Sequence, residues 1–428
     1  MVLVLVLAFV LGSVAESRPR HSPYERPSRV VDGEGAAYDL VMVQVITRHG
    51  ARSPYTILPA AAKDYFYWNC TLDLLSTVTT EPSNKVPVGR LYRKKYLDGR
   101  EPVVGDCSLG QLTAEGAMQH RELGANLRSI YVDQLGFLSP TFDESQIYIR
   151  STNVERTVES AINNFLGLYP PSPSAASCLP EILNIETMDN SMEDMTPGSR
   201  CLNLYKTCDY IQTTPSWQAE LNSMQPLYQH IQNLWNFTNW EWIDMYDLFA
   251  AREFAGAPML PGITPQIIDS IYNISAYQIN SLYTNMEVTR LGIGSFVGEL
   301  LNNIQMKVSG VNSYKYMFFS GHDTTIAPLY YVLNPTSTID WPPFASYIIL
   351  ELLQNPTTQQ YAVKFTYNGQ DIKIPACPDV VCPLDVFSAY LQPYIPTNFQ
   401  QECGMTAGMR RIRTNSLSSP NQTTKSLC

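Results

Sequence analysis

Apolar residues recur along this chain with two periods, one typical of strands and the other typical of helices. Period-two alternation and short continuous apolar runs predict strands. These strands lie at 39–47, 145–152, 314–320, 346–353 and 361–374, the last with a turn at Asn368 and Gly369. Helical spacing of apolar positions predicts helices at 113–130, 153–169 and 290–306. Strands that alternate with helices predict an α/β fold with a mostly parallel central sheet flanked by helices.

This alternation is interrupted in the middle of the chain. Between 171 and 285 the strand pattern fades, and tryptophans and tyrosines become frequent. We interpret this segment as a smaller, mainly helical cap domain inserted into an α/β core of 38–170 and 286–405. Residues 16–37 are rich in Arg and Pro and are interpreted as a flexible or processed leader, and 406–428 as a polar C-terminal tail.

The N-terminus has the features of a targeting segment. The first fifteen residues are apolar, and Ser13 and Ala15 are small residues at the positions that a signal peptidase requires. The apolar run is too short to span a bilayer. We therefore predict a cleaved signal peptide at 1–15 and no membrane anchor, which places the protein outside the cell or in the lumen of the lysosome or endomembrane system.

The cysteines and the glycosylation signals agree with an exported protein. Nine cysteines occur without the CxxC spacing of metal sites, which predicts disulfides in an oxidising compartment. Cys377 and Cys382 are close enough in sequence to close a small loop, and the odd number leaves at least one thiol free or intermolecular. Asn-x-Ser/Thr acceptor sites occur at Asn69, Asn236, Asn273 and Asn421.

The charge of the chain limits its partners. The 428 residues carry a formal net charge of -10, and basic residues do not cluster in long runs, which argues against nucleic acid as a partner. Any anion site must therefore be a local concentration of positive charge. The five histidines are not grouped with carboxylates at metal-ligand spacing, so the sequence predicts neither a metal nor a cofactor.

Such a local concentration of charged residues follows three of the predicted strands. The residues concerned are Arg48, His49 and Arg52 after the first, Arg150 after the second, and His322 and Asp323 after the third. Ligands of open α/β sheets bind beyond the carboxyl ends of the strands, and guanidinium groups match the oxygens of a phosphate. A neutral imidazole is a competent nucleophile toward phosphorus. Asp323 could cap the following helix, but it is also the natural general acid for the leaving group.

Three motifs in this set resemble those of the histidine acid phosphatase family, nearer its animal acid phosphatases than its phytases. They are "RHGARSP" at 48–54, "RSTNVERT" at 150–157 and "GHDTT" at 321–325. The resemblance implies an α/β core with a helical cap and catalysis through a covalent phosphohistidine. It implies that His49 is the nucleophile and Asp323 the proton donor. The phosphate ligands implied by the same motifs are Arg48, Arg52, Arg150 and His322.

Two positions in these motifs required a choice. Arginine is common between a strand and a helix, and the motif match favours Arg150 over Arg156 as the phosphate ligand. We assign Arg156, which lies in the following helix, to a structural ion pair. Ala51 stands where the animal members of the family mostly carry Asp, a difference that bears on the leaving group and removes no phosphate ligand.

The resemblance predicts an acid phosphatase that acts on small phosphate monoesters. Three alternatives stay open on the sequence. Two are enzymes of the same fold, a phytase and a phosphotransferase, and the third is a secreted non-catalytic protein that binds a phosphorylated ligand. Members of this family often form homodimers, so a homodimer is an expectation that rests on the resemblance alone.

Overall fold

The computed structural model describes most of the chain. The described residues are 24–57, 66–70, 76–77, 91–92, 104–170, 183–197, 201–237 and 240–405. The predicted signal peptide at 1–15, the beginning of the predicted leader, the acceptor site at Asn421 and the predicted tail at 406–428 lie outside the described residues.

The regular elements alternate between strands and helices in both halves of the chain. The strands are β1 (Val30–Val31), β2 (Ala37–Arg48), β3 (Ser76–Thr77), β4 (Leu91–Tyr92), β5 (Ile147–Ser151), β6 (Tyr316–Gly321), β7 (Tyr347–Gln354), β8 (Tyr361–Tyr367), β9 (Gln370–Ile372) and β10 (Val381–Pro383). The helices are α1 (Ala114–Arg128), α2 (Glu155–Leu168), α3 (Leu202–Gln212), α4 (Pro215–Ser223), α5 (Gln225–Trp235), α6 (Trp242–Phe254), α7 (Pro265–Tyr283), α8 (Met286–Val308), α9 (Asp323–Leu333), α10 (Leu384–Leu391) and α11 (Phe399–Glu402).

The predicted α/β class is confirmed, but the prediction of a mostly parallel sheet is wrong, because the sheet is mixed. Its strand order is β10-β8-β7-β2-β6-β5. Strand β6 runs parallel to β2 and β5. Strand β7 runs antiparallel to β2 and β8, and β10 runs antiparallel to β8. The short connections between β7, β8 and β9 suit antiparallel strands only. Asn368 and Gly369, both at positive φ, form the predicted tight turn between β8 and β9.

Strand β2 lies at the centre of this sheet and is buried on both faces. Met42 and Ile46 pack with α8 and α9 on one face. Val43 and Val45 pack with α1 and β5 on the other. This is why β2 appears in the sequence as a continuous apolar run instead of an alternating one.

The predicted core helices agree with α1, α2 and α8 to within a few residues. Thr113 caps α1, because its hydroxyl oxygen accepts a hydrogen bond from the backbone N–H of Gly116. The cap of α9 differs from the alternative that we considered for Asp323. His322 occupies the N-cap position, and Asp323 is the first helical residue.

Five helices, α3 to α7, form the middle of the chain, as the mainly helical pattern predicts. Their apolar side chains, which include Trp217, Trp235 and Trp242, form a core that continues into α9 at Tyr331 and to Phe344. A disulfide between Cys201 and Cys403 joins the beginning of this helical insert to the C-terminal end of the described chain. Among the described residues, no helix has the length and apolar character needed to cross a membrane.

The described cysteines are all disulfide-bonded. The predicted loop closure between Cys377 and Cys382 is confirmed, and Cys70 pairs with Cys107. Cys208 is disulfide-bonded as well.

The described part of the predicted leader packs on the α/β core, contrary to our interpretation of a flexible segment. Val30 pairs with Tyr38 in an antiparallel ladder. The guanidinium of Arg26 lies 2.6 Å from a carboxylate oxygen of Glu351, and both side chains are buried. The same oxygen accepts a hydrogen bond of 2.8 Å from the hydroxyl of Tyr131. The basic residue that suggested a processed leader is therefore the partner of a buried carboxylate in β7.

Replacement of Arg26 by Ala should destabilise the protein strongly, because it leaves Glu351 buried without its cation. We expect the free energy of unfolding to fall by about 3–5 kcal/mol, measured by urea denaturation with the disulfides intact. Arg29 is exposed in the same segment, so the matched variant Arg29→Ala should change that free energy by less than about 0.5 kcal/mol. Equal midpoints for the two variants would contradict a structural role for residues 24–31.

Candidate active site

Three neighbouring strands bring the sequence motifs to one edge of the sheet. In the parallel ladders, Arg48 of β2 lies opposite Gly321 of β6, and Ser151 of β5 lies opposite Ser320. The backbone N–H of His49 donates to the carbonyl of Gly321 at 2.9 Å. The rings of His49 and His322 are consequently only 5.6 Å apart between centroids. The predicted convergence of the first and third motifs is therefore observed.

The loop after β2 is held against two helices by its backbone. A Cβ atom at Gly50 would lie 2.1 Å from the carbonyl oxygen of Gly116 in α1, so only glycine permits this approach. The N–H of Gly50 donates to the hydroxyl oxygen of Ser160 at 3.1 Å. The N–H of Ala51 donates to the side-chain oxygen of Gln119 at 2.8 Å. These contacts fix the direction in which the next side chains project.

The hydrogen bonds of His49 determine its tautomer. Nδ1 lies 2.8 Å from the carbonyl oxygen of Gly50, and because a carbonyl only accepts, Nδ1 carries the proton. The neutral ring therefore has its lone pair on Nε2. Burial, together with the charges of Arg156 and Arg48, lowers the pKa of His49 well below the usual value. His49 is consequently neutral under acidic conditions that would protonate a histidine in water.

Two of the predicted arginines lie beside His49, and each is paired with one carboxylate. Arg48 contacts Asp323 at 2.9 Å, and Arg52 contacts Asp247 at 2.5 Å. The ring of Phe344 lies 4.2 Å from the guanidinium carbon of Arg48. Asp247 comes from α6 of the helical insert, so the insert contributes a residue to the site. Nothing in the sequence around Asp247 indicated this contact.

The third arginine at the site is Arg156, which we had assigned to a structural ion pair. Its Nη2 lies 3.1 Å from Nδ1 of His322. A guanidinium only donates, so Nδ1 of His322 accepts and Nε2 carries the proton, which it donates to the hydroxyl of Thr152 at 2.9 Å. Burial and the neighbouring charges of Arg52 and Arg48 lower the pKa of Arg156 to about 10. A guanidinium whose charge is opposed in this way gains from an added anion.

Arg150 is not brought to the histidines, and its assignment as a phosphate ligand needs correction. It still belongs to β5, so the strand pleat directs its side chain toward α8. There it forms ion pairs with Glu193 at 2.8 Å and with Asp194 at 2.5 Å. It also pairs with Glu299 of α8. These three carboxylates bind the guanidinium at a place away from His49 and His322, and they make Arg150 a structural residue.

The surroundings of Asp323 favour the ionised form of its carboxyl group. Although burial raises its pKa, the charge of Arg48 and a hydrogen bond from Trp341 outweigh that effect and lower the pKa to about 2. The indole N–H of Trp341 donates to Asp323 at 2.9 Å. Asp323 can therefore act as an acid only if a change in the surrounding charge raises the pKa of its carboxyl group.

The fold and the site define an α/β protein with a buried cluster of arginines at the ends of parallel strands, built around a neutral histidine. The chain belongs to the histidine phosphatase superfamily (branch 2), whose family model matches residues 39–368. The family resemblance proposed from the three motifs is thereby confirmed.

The known proteins that resemble this chain include a phosphatase, a phytase and a protein whose name states no enzymatic activity. Counting factor 60 from Dictyostelium discoideum is 31% identical over 411 residues, which cover 94% of this chain and 97% of that protein. Lysophosphatidic acid phosphatase type 6 from Homo sapiens is 28% identical over 393 residues, covering 86% and 87% of the two chains. The solved phytase from Citrobacter braakii matches with a TM-score of 0.58 at 17% identity, covering 86% of this chain and 100% of the phytase, and supports the fold alone.

Charge-conserving substitutions should distinguish the two arginines. Lysine lacks the planar fork of arginine, so Arg156→Lys should weaken binding of inorganic phosphate by about 10-fold or more, the equivalent of one charged hydrogen bond. Arg150→Lys keeps a cation beside its three carboxylates and should leave phosphate affinity unchanged. Isothermal titration with phosphate measures both, and an equal loss for Arg150→Lys would restore the original assignment.

Proposed function

We propose that the protein is an acid phosphatase that hydrolyses small phosphate monoesters through a phosphohistidine on Nε2 of His49. The observation that carries this proposal is the state of His49. Its ring is neutral, its Nδ1 proton is held by the Gly50 carbonyl, and the positive charges of Arg156, Arg48 and Arg52 act on the ring. A nucleophile of this kind beside concentrated positive charge is suited to attack on phosphorus.

The first step transfers the phosphoryl group to the protein. The Nε2 lone pair of His49 forms a bond to phosphorus while the bond from phosphorus to the ester oxygen breaks. The departing oxygen takes a proton from Asp323, which becomes a carboxylate. The groups that bind the nonbridging oxygens and neutralise their charge are Arg48, Arg52, Arg156 and His322.

The second step regenerates the protein. A water oxygen forms a bond to phosphorus, the bond from phosphorus to Nε2 of His49 breaks, and the Asp323 carboxylate accepts a proton from the water. Inorganic phosphate is released, and His49 returns to its neutral state. The same residue thus acts as acid in one step and as base in the other.

Binding of the substrate supplies the condition under which Asp323 is protonated. Without a ligand, Arg48 helps to lower the pKa of Asp323 to about 2. A bound phosphate neutralises Arg48 and adds negative charge nearby, and both effects raise the pKa of the carboxyl group. Asp323 then loses its proton, and turnover falls, as the pH rises through this raised pKa. Acid leaves His49 neutral, so an acidic optimum follows.

The phosphohistidine is directly detectable. When the protein is mixed with a monoester labelled in its phosphoryl group and quenched within milliseconds in base, we expect acid-labile label on the protein, because phosphoramidates survive base. His49→Ala should carry no label and should release no phosphate. Binding of phosphate by the wild-type protein without either label or turnover would instead favour the non-catalytic phospho-ligand protein.

Substitution of the acid should affect esters according to their leaving groups. Asp323→Asn removes the proton donor but retains a group of similar size, and a positioned general acid contributes about 10²–10⁴-fold to rate. We expect kcat/KM for ethyl phosphate to fall within that range and kcat/KM for 4-nitrophenyl phosphate to fall far less, since nitrophenolate leaves without a proton. Equal losses on the two esters would remove Asp323 from the acid role.

The location of the protein is proposed on separate grounds. Disulfides join Cys70 to Cys107 and Cys201 to Cys403, which favours an oxidising compartment. Three acceptor asparagines are exposed in the structure, namely Asn69, Asn236 and Asn273. We propose that the protein is a glycoprotein, either secreted or held in the lumen of the lysosome or endomembrane system.

A further inference from the structure

The ring of Tyr55 lies against Arg52 and Arg156, and Tyr55 has no part in the mechanism proposed above. Its ring centroid is 4.2 Å from the guanidinium carbon of Arg52 and 5.0 Å from that of Arg156. Arg52 is 4% exposed, whereas Tyr55 is 41% exposed. One ring therefore covers two candidate phosphate ligands and is itself open to solvent beside them.

Contacts on two sides hold Tyr55 in this position. Its backbone N–H donates to Oδ2 of Asp247 at 2.9 Å, while Oδ1 of the same carboxylate binds Arg52. Gly110, at φ +68°, lies against the ring, so that a Cβ atom there would be 2.8 Å from a ring carbon. The loop that carries Gly110 is anchored by the disulfide of Cys107. The exposed ring is thus a fixed part of the rim.

The described residues near the rings of Tyr55 and His49 include an aromatic ring, an exposed leucine and two carboxylates. The ring of Phe344 lies 5.7 Å from that of His49, and Leu109, next to Gly110, is exposed. The carboxylates of Asp247 and Asp323 already face the guanidiniums. Three guanidiniums against two carboxylates leave about one net positive charge, which suits a single phosphate group. Among the described residues named here, no further cation remains for a second phosphate on the same substrate.

We propose that Tyr55 determines which leaving groups the site accepts, and that it selects phosphate monoesters of aromatic or hydrocarbon alcohols over polyphosphorylated polyols. The exposed face of the ring stacks with the leaving group, while the opposite face positions Arg52 and Arg156 for the phosphoryl oxygens through cation–π contact. This inference rests on the proposed function and specifies its substrate class.

The test compares esters whose leaving groups have similar acidity but differ in apolar area. These are 2-naphthyl against phenyl phosphate and 2-phenylethyl against ethyl phosphate. In Tyr55→Ser we expect kcat/KM to fall by about 10-fold more for the larger member of each pair, as stacking on an aromatic ring predicts, and mainly through KM. The Ki of inorganic phosphate should rise equally for all assays, which reports the loss of the cation–π contact.

Two further variants separate this role from a structural one. Tyr55→Phe keeps the ring and should retain the wild-type preference and the wild-type Ki. Tyr210 is exposed on α3, and Tyr210→Ser should retain both as well. In the wild-type protein, inositol hexakisphosphate should be hydrolysed far less efficiently than 2-naphthyl phosphate.

The outcomes that overturn the inference are distinct from failure of the proposed function. If Tyr55→Ser lowers kcat/KM equally for both members of each pair, or if Tyr55→Phe behaves like Tyr55→Ser, ring stacking is not the source of specificity. A wild-type preference for inositol hexakisphosphate would also overturn it. If the wild-type protein hydrolyses none of these esters, the proposed function itself is wrong.

Discussion

The site depends on positive charge that the protein compensates only in part. Arg48, Arg52 and Arg156 converge on two neutral imidazoles, and each of the three retains a buried Nε atom without a partner among the described residues. Buried like charges destabilise a fold unless they are paired. Asp323 and Asp247 pair with two of the three. Burial, together with the remaining positive charge, lowers the pKa values of His49, His322 and Arg156. An anion of phosphate size would relieve the same repulsion, so the charges that help to keep His49 neutral also favour the binding of an anion.

Much of this site could be predicted because strand ends are visible in a sequence. The apolar run of β2 ends at Arg48, and that of β6 ends before His322, so parallel pairing of the two strands brings both ends together. The choice between Arg150 and Arg156 could not be made in the same way. The first lies within a strand and the second in the first turn of a helix, so the direction of each side chain depends on the exact strand end, the least certain part of such a prediction.

Other parts of the structure have no local signal at all. Glu351 lies in an apolar strand, and its partner Arg26 lies in a segment whose composition suggested a leader; only the packed structure brings them together. The antiparallel direction of β7 relative to β2 also has no local signal in the sequence. The turn at Asn368 and Gly369 predicts how β8 pairs with β9, but it does not predict how β7 pairs with β2. The sequence patterns predict the helices and strands. The antiparallel pairing of β7 with β2 and the packing of residues 24–31 on the core depend on long-range contacts.

The helical insert contributes a carboxylate to the site. Asp247 of α6 binds the guanidinium of Arg52 with one oxygen and the backbone of Tyr55 with the other, so it neutralises charge and fixes the rim at once. His49 and His322, in contrast, are fixed by the sheet and by the helices packed on it. In the proposed mechanism the core therefore sets the chemistry at phosphorus, and the contact between the insert and the loop after β2 sets the surroundings of the leaving group. On this proposal, changes in the insert alter the preferred alcohol while His49 and its tautomer stay the same.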